Sequence, residues 1–309
     1  MSARILGAGK ALGSHIHSNE ELARTAGVSP AWIVEKTGIK QRHYAAPGET
    51  TSSLALSAAR LALENAGIET DQIGMVIGAT FTHDYLFPPL AAKLHRNLGL
   101  KGGQCYDIQA NCSGYVSALV AASDRMRLDP SVGYALVVGS EVLSPFVDLQ
   151  DAESSMYFSD VAGAVVIGGS TSPGIVSSAF DTDTSNYESV RCERNGLMVM
   201  NGIATWKQAM SHLPSTIRKA VERAGWRMNE VDLFIPHQAN LRLIEFLAGR
   251  LGWQDRTFTN VAEIGNGGAA SIPAAIADAM SEGRVRPGMK VVIAGIGAGF
   301  GFAAVTMVW

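Results

Sequence analysis

Short runs of branched aliphatic residues alternate along this chain with longer stretches whose apolar residues recur every three or four positions. The short runs, such as MVIGAT at 75–80 and KVVIAGIG at 290–297, predict buried strands. The longer stretches, such as TSSLALSAARLALENAG at 51–67, predict helices, with N-cap side chains at residues 50–52 and a C-terminal stop at Gly67. This alternation predicts an α/β protein built from layers of helices and buried strands.

The order of these segments repeats weakly. ALENAGIETDQIGMVIGAT at 62–80 and AVERAGWRMNEVDLFIPHQ at 220–238 each join a helix ending in Ala-Gly to a hydrophobic strand. The glycine- and serine-rich GGSTSPG at 168–174 lies between the two copies. We therefore predict two duplicated halves, residues 1–170 and 171–309, with a pocket between them.

Charge and composition exclude several classes of protein. The net charge of -3, with Lys and Arg scattered along the chain, provides no basic surface for nucleic acid. The sequence shows neither a secretory signal nor an apolar run of transmembrane length, so we expect a cytoplasmic protein without a membrane partner. Its cysteines have no pairing or metal-ligand spacing, which predicts neither disulfides nor a metal site; they are Cys105, Cys112 and Cys192.

Cys112 is the first candidate for chemistry. It lies between QCYDIQA, which predicts a strand, and SGYVSALVAASDRM, which predicts a helix. At such a turn the free N–H groups of the helix stabilise a thiolate and an oxyanion. Taken by itself, a cysteine is more often an inert core residue, and this alternative stays open at this point.

His237 and Asn266 are two further candidates. His237 directly follows the strand-like VDLFI in PHQAN, and Asn266 stands among glycines in EIGNGGAASIPAA. Each has a plain structural alternative, a capping or core histidine and a turn asparagine. A pocket between the halves would bring all three residues together.

The three motifs in this order resemble the β-ketoacyl-acyl-carrier-protein synthase III family of thiolase-superfamily condensing enzymes. The likeness extends over essentially the whole chain, including AWIVEKTGIKQRHYAAPGETTSSLA near the N-terminus and GIGAGFGFAAV near the C-terminus. It implies a thiolase-like five-layered αβαβα fold and a homodimer.

The resemblance also implies a two-step reaction. Cys112 would take an acyl group from a thioester, and His237 and Asn266 would then support decarboxylation of a malonyl thioester and Claisen condensation. In this comparison the oxyanion hole comprises the backbone N–H groups of Cys112 and Ala298, where the family usually has glycine. No metal or redox cofactor is needed, and neither GAGKALGS at 7–14 nor GIGAGFG at 295–301 has the strict dinucleotide spacing.

The resemblance implies substrate contacts for Trp32 and Lys36, and a role for Phe87 as the floor of the partner's acyl pocket across the dimer. The arginine that pairs with the tryptophan around the adenine of coenzyme A is missing, because Ala152 and Glu153 stand there. Basic residues at Lys207, Arg242 and Arg250 resemble the family's docking patch for an acidic acyl carrier protein; exposed helix charges are the alternative.

We therefore predict an acyltransferase of the ketosynthase type that acts on acyl and malonyl thioesters, in fatty-acid initiation or in polyketide or secondary-metabolite biosynthesis. One alternative is transfer of the acyl group from Cys112 to an amine, hydroxyl or carrier thiol without decarboxylation. Asn266 argues against this alternative, since simple transfer requires no enolate stabilisation. A non-catalytic partner subunit is the remaining alternative.

Overall fold

A computed structural model describes residues 2–309, which form mixed α/β structure. The described residues contain thirteen strands: β1 Ser2–Leu12, β2 His15–Ser18, β3 Gln41–Tyr44, β4 Ile73–Ala79, β5 Gln104–Ile108, β6 Tyr134–Glu141, β7 Val161–Ser170, β8 Ile175–Thr182, β9 Val190–Cys192, β10 Met198–Met200, β11 Leu233–Pro236, β12 Lys290–Gly297 and β13 Gly301–Val308. They also contain ten α-helices: α1 Asn19–Ala26, α2 Pro30–Thr37, α3 Thr51–Ala66, α4 Leu90–Asn97, α5 Gly114–Leu128, α6 Ala152–Ser155, α7 Gly202–Arg223, α8 Leu241–Leu251, α9 Val261–Ile264 and α10 Ser271–Ser281.

Helix α3 begins and ends where the sequence predicts. The Thr50 side chain accepts a hydrogen bond from the Ser53 N–H, and the Ser53 side chain accepts one from the Thr50 N–H. This reciprocal capping pairs two of the N–H groups that a helix start leaves free. At the other end Gly67 has a φ of 64°, a left-handed conformation that glycine adopts at little cost.

The strands form two central sheets, one in each half of the sequence. The first has the order β1-β7-β6-β4-β5, with β4 parallel to both β5 and β6 and the other pairs antiparallel. The second has the order β11-β12-β13-β8, with only β11 and β12 parallel. All strands of the first sheet precede residue 171 and all strands of the second follow it. That the two halves are separate duplicated units stays a prediction.

Helices cover both faces of each sheet, which gives five layers. On one outside face α3 and α4 pack on the first sheet, and on the opposite outside face α7 packs on the second sheet with α8 beside it. Helices α5 and α10 lie between the sheets, where one continuous hydrophobic core contains residues of both helices and both sheets. The predicted αβαβα fold is confirmed.

The helices within residues 2–309 do not include one that combines the length and apolar character needed to cross a membrane.

Candidate active site

Cys112 lies at a tight turn between a strand and a helix, as the sequence predicts. Strand β5 ends at Ile108, one 3₁₀ turn covers Asn111–Ser113, and helix α5 begins at Gly114. Asn111 has a positive φ of 50°, which asparagine tolerates better than most residues. The Ser113 hydroxyl donates to the Ala110 carbonyl oxygen over 2.9 Å and so fixes the turn.

The turn that carries Cys112 packs against the glycine-rich end of β12. A Cβ on Gly297 would overlap the Ala110 carbonyl oxygen and lie 2.7 Å from the Ser113 Oγ, so only glycine fits there. The Asn111 side-chain amide donates to the Ala298 carbonyl oxygen over 2.8 Å. These contacts hold Cys112 and Ala298 in one local structure although 186 positions separate them in the sequence.

His237 follows directly after β11, where its side chain is 5% exposed. Its backbone N–H donates to the Ala294 carbonyl oxygen on β12 over 2.7 Å. Its ring Nδ1 lies 2.6 Å from the Ser271 Oγ at the start of α10. Burial lowers the pKa of His237 to about 4, so the imidazole is neutral at physiological pH.

Asn266 lies in the glycine loop before α10 and is 6% exposed. Its backbone is held on both sides by strand-like bonds, in which its N–H donates to the Tyr157 carbonyl oxygen and its carbonyl accepts from the Ser159 N–H, each over 2.9 Å. The side-chain Oδ1 accepts from the Gly268 N–H over 3.0 Å. This bond orients the amide, so its Nδ2 donor is left for a ligand.

One cavity of about 460 Å³ joins these residues. Cys112, His237, Asn266 and Ala298 all line it. Its inner end is formed by these buried and half-buried residues, and its mouth by exposed ones such as Lys36. The structure therefore brings together the three predicted catalytic residues and the predicted oxyanion-hole residue.

The protonation state of Cys112 differs from the sequence-based expectation of a stabilised thiolate. Burial and, to a smaller extent, the nearby Glu141 carboxylate raise the pKa of its thiol to about 12, while the Cys112 backbone N–H acts in the opposite direction. Although α5 begins two residues later, the loss of solvation outweighs the favourable N–H groups. Cys112 is therefore a thiol at neutral pH.

Glu141 is a fully buried carboxyl group beside this site. It accepts hydrogen bonds from the Phe81 and Thr82 N–H groups and from the Thr80 and Thr82 hydroxyls, over 2.5–3.3 Å. Burial raises the pKa of Glu141 to about 8, against the opposing effect of these donors. Its negative charge therefore acts on Cys112 mainly above pH 8.

The predicted substrate contacts fall in different places. Lys36 lines the cavity. Trp32 packs instead in a small cluster with Leu22 and Met156 and is not a lining residue. Phe87 is 83% exposed and does not line the cavity of its own chain, and its predicted role at a partner's pocket stays a prediction.

The three predicted docking residues are also held differently. Arg242 lines the cavity, and its guanidinium donates to the Val34 and Glu35 carbonyl oxygens near the end of α2. Arg250 is exposed and donates to the Met210 carbonyl oxygen over 3.4 Å. Lys207 is exposed, and among residues 2–309 it has neither an ion pair nor a side-chain hydrogen bond.

Several residues of the site were missed by the sequence analysis. Trp206 lines the cavity mouth and packs against Phe246 with ring centroids 5.3 Å apart. Glu141 gives no sequence signal, because its burial depends on β6 and on the loop at 80–82. Ser271 gives a partial signal, since it stands five positions after Asn266 within the same motif.

One group of metal-ligand types occurs within residues 2–309. His15, His17 and Glu21 have donor atoms within 4.8 Å of one another on β2 and α1. None of the three lines the cavity. The candidate site therefore contains no cluster of metal ligands among the described residues.

Comparison with known proteins gives first the class and then the family. Solved structures with the same fold include 3-oxoacyl-[acyl-carrier-protein] synthase III from Aquifex aeolicus, with a TM-score of 0.95, 34% identity, and 99% of this chain and 100% of that chain covered. The priming β-ketosynthase of the R1128 polyketide biosynthetic pathway also has a TM-score of 0.95, with 31% identity and 99% and 96% of the two chains covered. The chain is thus a thiolase-fold condensing enzyme.

The family models for 3-oxoacyl-[acyl-carrier-protein] synthase III and for its C-terminal part match residues 106–184 and 221–309. The β-ketoacyl-[acyl-carrier-protein] synthase III of Bordetella petrii is 39% identical, with 98% of this chain and 97% of that protein covered. The Escherichia coli K12 protein of the same name is 36% identical, with 97% of each covered. The chain belongs to the β-ketoacyl-acyl-carrier-protein synthase III family, as its motifs predict.

Proposed function

We propose that Cys112 is the acyl-carrying nucleophile and that His237 and Asn266 are the donors for decarboxylative condensation with a malonyl thioester. The observation that carries this proposal is the convergence of Cys112, His237, Asn266 and Ala298 on one cavity from distant parts of the sequence. Both the neutral His237 ring and the oriented Asn266 amide offer N–H donors. Such donors stabilise the oxygen on which negative charge develops.

The first step transfers an acyl group to Cys112. The sulfur attacks the thioester carbonyl, the backbone N–H groups of Cys112 and Ala298 stabilise the oxyanion, and the thiol proton ends on the departing thiol. Because the raised pKa keeps Cys112 a thiol at neutral pH, its proton is lost in the course of this step.

The second step forms the carbon–carbon bond. A malonyl thioester loses carbon dioxide, and the resulting enolate oxygen accepts hydrogen bonds from His237 and Asn266. The enolate carbon attacks the acyl group on Cys112, and the sulfur leaves and takes up one proton. The products are a β-ketoacyl thioester, carbon dioxide and the free Cys112 thiol.

An acyl carrier protein is the proposed carrier of the malonyl group. Relatives of this chain are named as acting with an acyl carrier protein. Lys207 is exposed and unpaired among residues 2–309, close in sequence to the cavity-lining Trp206, where it is available to an acidic partner. The missing adenine-binding arginine favours a carrier over coenzyme A as the acyl donor as well, and a setting in secondary metabolism over fatty-acid initiation.

A homodimer is the proposed assembly. The loop between β4 and α4 exposes Tyr85, Leu86 and Phe87 by 57%, 78% and 83%. Beside it, β5 is an edge strand of its sheet, with backbone groups available to another chain. A second copy of the chain would cover both. Sedimentation of the wild type and of Phe87→Asp tests this, because a charge in the interface lowers the dimer fraction.

Intact-protein mass spectrometry tests the catalytic roles. Wild type and Cys112→Ala are incubated with a panel of acyl-coenzyme A and acyl-carrier donors and then with malonyl thioester. We expect a mass gain only in wild type, followed by discharge with release of carbon dioxide. His237→Ala and Asn266→Ala should keep the acyl adduct and fail to discharge it.

Each other outcome supports a different function. Discharge to an amine, a hydroxyl or a carrier thiol without carbon dioxide would favour simple acyl transfer. A wild type that takes no acyl group from any donor would favour the non-catalytic partner subunit.

A further inference from the structure

The inference concerns Ser271, the first residue of α10, which contacts the His237 ring. The serine Oγ lies 2.6 Å from the ring Nδ1, and both side chains are buried. At this distance the two atoms share one hydrogen bond, and either of them could donate. The direction of that bond determines which nitrogen of the neutral ring carries the proton.

A second contact of the Ser271 Oγ determines the direction of its hydrogen bond with His237. The Gln238 backbone N–H donates to the same Oγ over 3.2 Å. A hydroxyl group has one proton to donate, and within residues 2–309 no other hydrogen-bond partner of this Oγ exists apart from His237 Nδ1. If Nδ1 donated instead, the buried serine proton would be left without an acceptor, which is unfavourable.

The Ser271 hydroxyl therefore donates to Nδ1. Because the pKa of His237 is lowered by burial to about 4, the ring is neutral at pH 7 and has a single proton. Because Nδ1 accepts the hydrogen bond from Ser271, that proton is on Nε2, the ring nitrogen that Ser271 does not contact.

We propose that Ser271 is a positioning residue that selects the Nε2–H tautomer of His237, so that the ring presents a donor and not an acceptor to the cavity. The inference rests on the proposed role of His237 in decarboxylation and makes it specific. A ring in this tautomer donates to the enolate oxygen, and it cannot accept the Cys112 proton at Nε2. The acyl-transfer step is therefore independent of Ser271, whereas the decarboxylation step depends on it.

Nuclear magnetic resonance of protein labelled with ¹⁵N-histidine tests the tautomer directly in the resting protein. His237 is assigned among the seven histidines by its loss in His237→Ala. Wild type should show Nδ1 as the unprotonated nitrogen and Nε2 as the protonated one at pH 7. In Ser271→Ala the Nδ1–H tautomer should gain population, because Nδ1 has lost its donor. Ser271→Thr keeps the hydroxyl and should retain the wild-type pattern.

Kinetics provide a second readout. In Ser271→Ala we expect the kcat for carbon dioxide release from malonyl thioester to fall about 10- to 100-fold. The rate of Cys112 acylation should stay within about threefold of the wild-type rate, because Ser271 does not act in that step. Ser271→Thr should restore most of the loss. Thr216→Val is the matched control, since it also removes a fully buried hydroxyl, which bonds to the His212 carbonyl oxygen in α7; it should change neither step.

Two results would overturn the proposal. One is a wild-type ring with its proton on Nδ1, which needs no variant and so does not depend on the folding of Ser271→Ala. The other is Ser271→Ala with an unchanged tautomer and unchanged decarboxylation. If wild type does not decarboxylate malonyl thioester at all, the proposed function fails, while the tautomer measurement still decides the role of Ser271.

Discussion

The inner end of the cavity and its mouth differ in how their side chains are held. At the inner end, Cys112, His237 and Asn266 are fixed by strand ends, a 3₁₀ turn and backbone hydrogen bonds. At the mouth, Lys36 is exposed, as is Lys207, the sequence neighbour of the lining residue Trp206; neither has a side-chain hydrogen bond among residues 2–309. The comparison indicates that the fold fixes the positions of the reacting groups at the inner end. At the mouth, partner recognition depends on exposed side chains, whose substitution has little effect on the fold.

The largest expected effect comes from Gly297→Ala at the inner end. The added Cβ would overlap the Ala110 carbonyl oxygen and approach the Ser113 Oγ, so the turn carrying Cys112 must shift. We expect acylation of Cys112 to slow by about 100-fold or more, as for other small displacements of reacting groups. The acylation rate is measured by intact-protein mass spectrometry over time.

Gly202→Ala is the control for this change at the mouth. Gly202 also lines the cavity, but a Cβ there would meet no atom within 4 Å. Cys112 of the Gly202→Ala variant should be acylated at the wild-type rate. Equal effects of the two substitutions on the acylation rate would contradict the proposed difference between the inner end and the mouth.

Glu141→Ala tests whether the inner end also contributes to stability. The substitution leaves the Phe81 and Thr82 N–H groups and two hydroxyls without their acceptor in a buried place. We expect the free energy of unfolding in urea to fall by about 3 kcal/mol, the upper range for unpaired buried groups. Glu263→Ala removes an exposed glutamate paired with Lys40 and should change stability little. A loss for Glu141→Ala no larger than that of this control would contradict the prediction.

The pH dependence of alkylation compares an inner thiol with one at the mouth. Because the pKa of Cys112 is raised to about 12, its thiolate fraction should rise about tenfold per pH unit between pH 7 and 8. Above pH 8 the ionised Glu141 repels the thiolate, so the slope should decrease. Iodoacetamide labelling, followed by peptide mass spectrometry, separates Cys112 from the exposed Cys192. A Cys112 rate that is constant above pH 7 would instead indicate a stabilised thiolate.

The smallest effect is expected for Lys207→Ala, beside Trp206 of the mouth in sequence. Loss of this exposed charge should raise KM for a carrier-bound malonyl thioester about threefold to tenfold at low salt, and the difference should disappear at high salt. Lys219→Ala changes an exposed lysine of the same helix farther from the cavity and serves as the control. A salt-independent loss, or the same loss in both variants, would mean that Lys207 has no part in docking.

The same division explains how far the sequence alone predicts this molecule. The alternation of strands and helices predicts the layers, and the motifs around Cys112, His237 and Asn266 predict the inner residues, because each motif contains the local backbone that positions its own side chain. Burial of Cys112 and Glu141 depends on long-range packing, so the raised pKa of the thiol has no local signal. Trp32 and Arg242 have residue types suited to contacts at the mouth, yet Trp32 packs in a separate cluster and the Arg242 guanidinium is hydrogen-bonded to α2.

The position of α5 and α10 between the two sheets has a consequence for how the chain is made. Both helices contribute to a single core with strands of both sheets, and this core includes the helix that follows Cys112. During synthesis residues 1–128 leave the ribosome well before 271–281, so apolar surface of α5 and of the first sheet stays uncovered until most of the chain has been translated. Nascent chains with such exposed surface are prone to aggregation. The layered core that joins both halves thus leaves apolar surface of the growing chain open to aggregation until its last third has emerged.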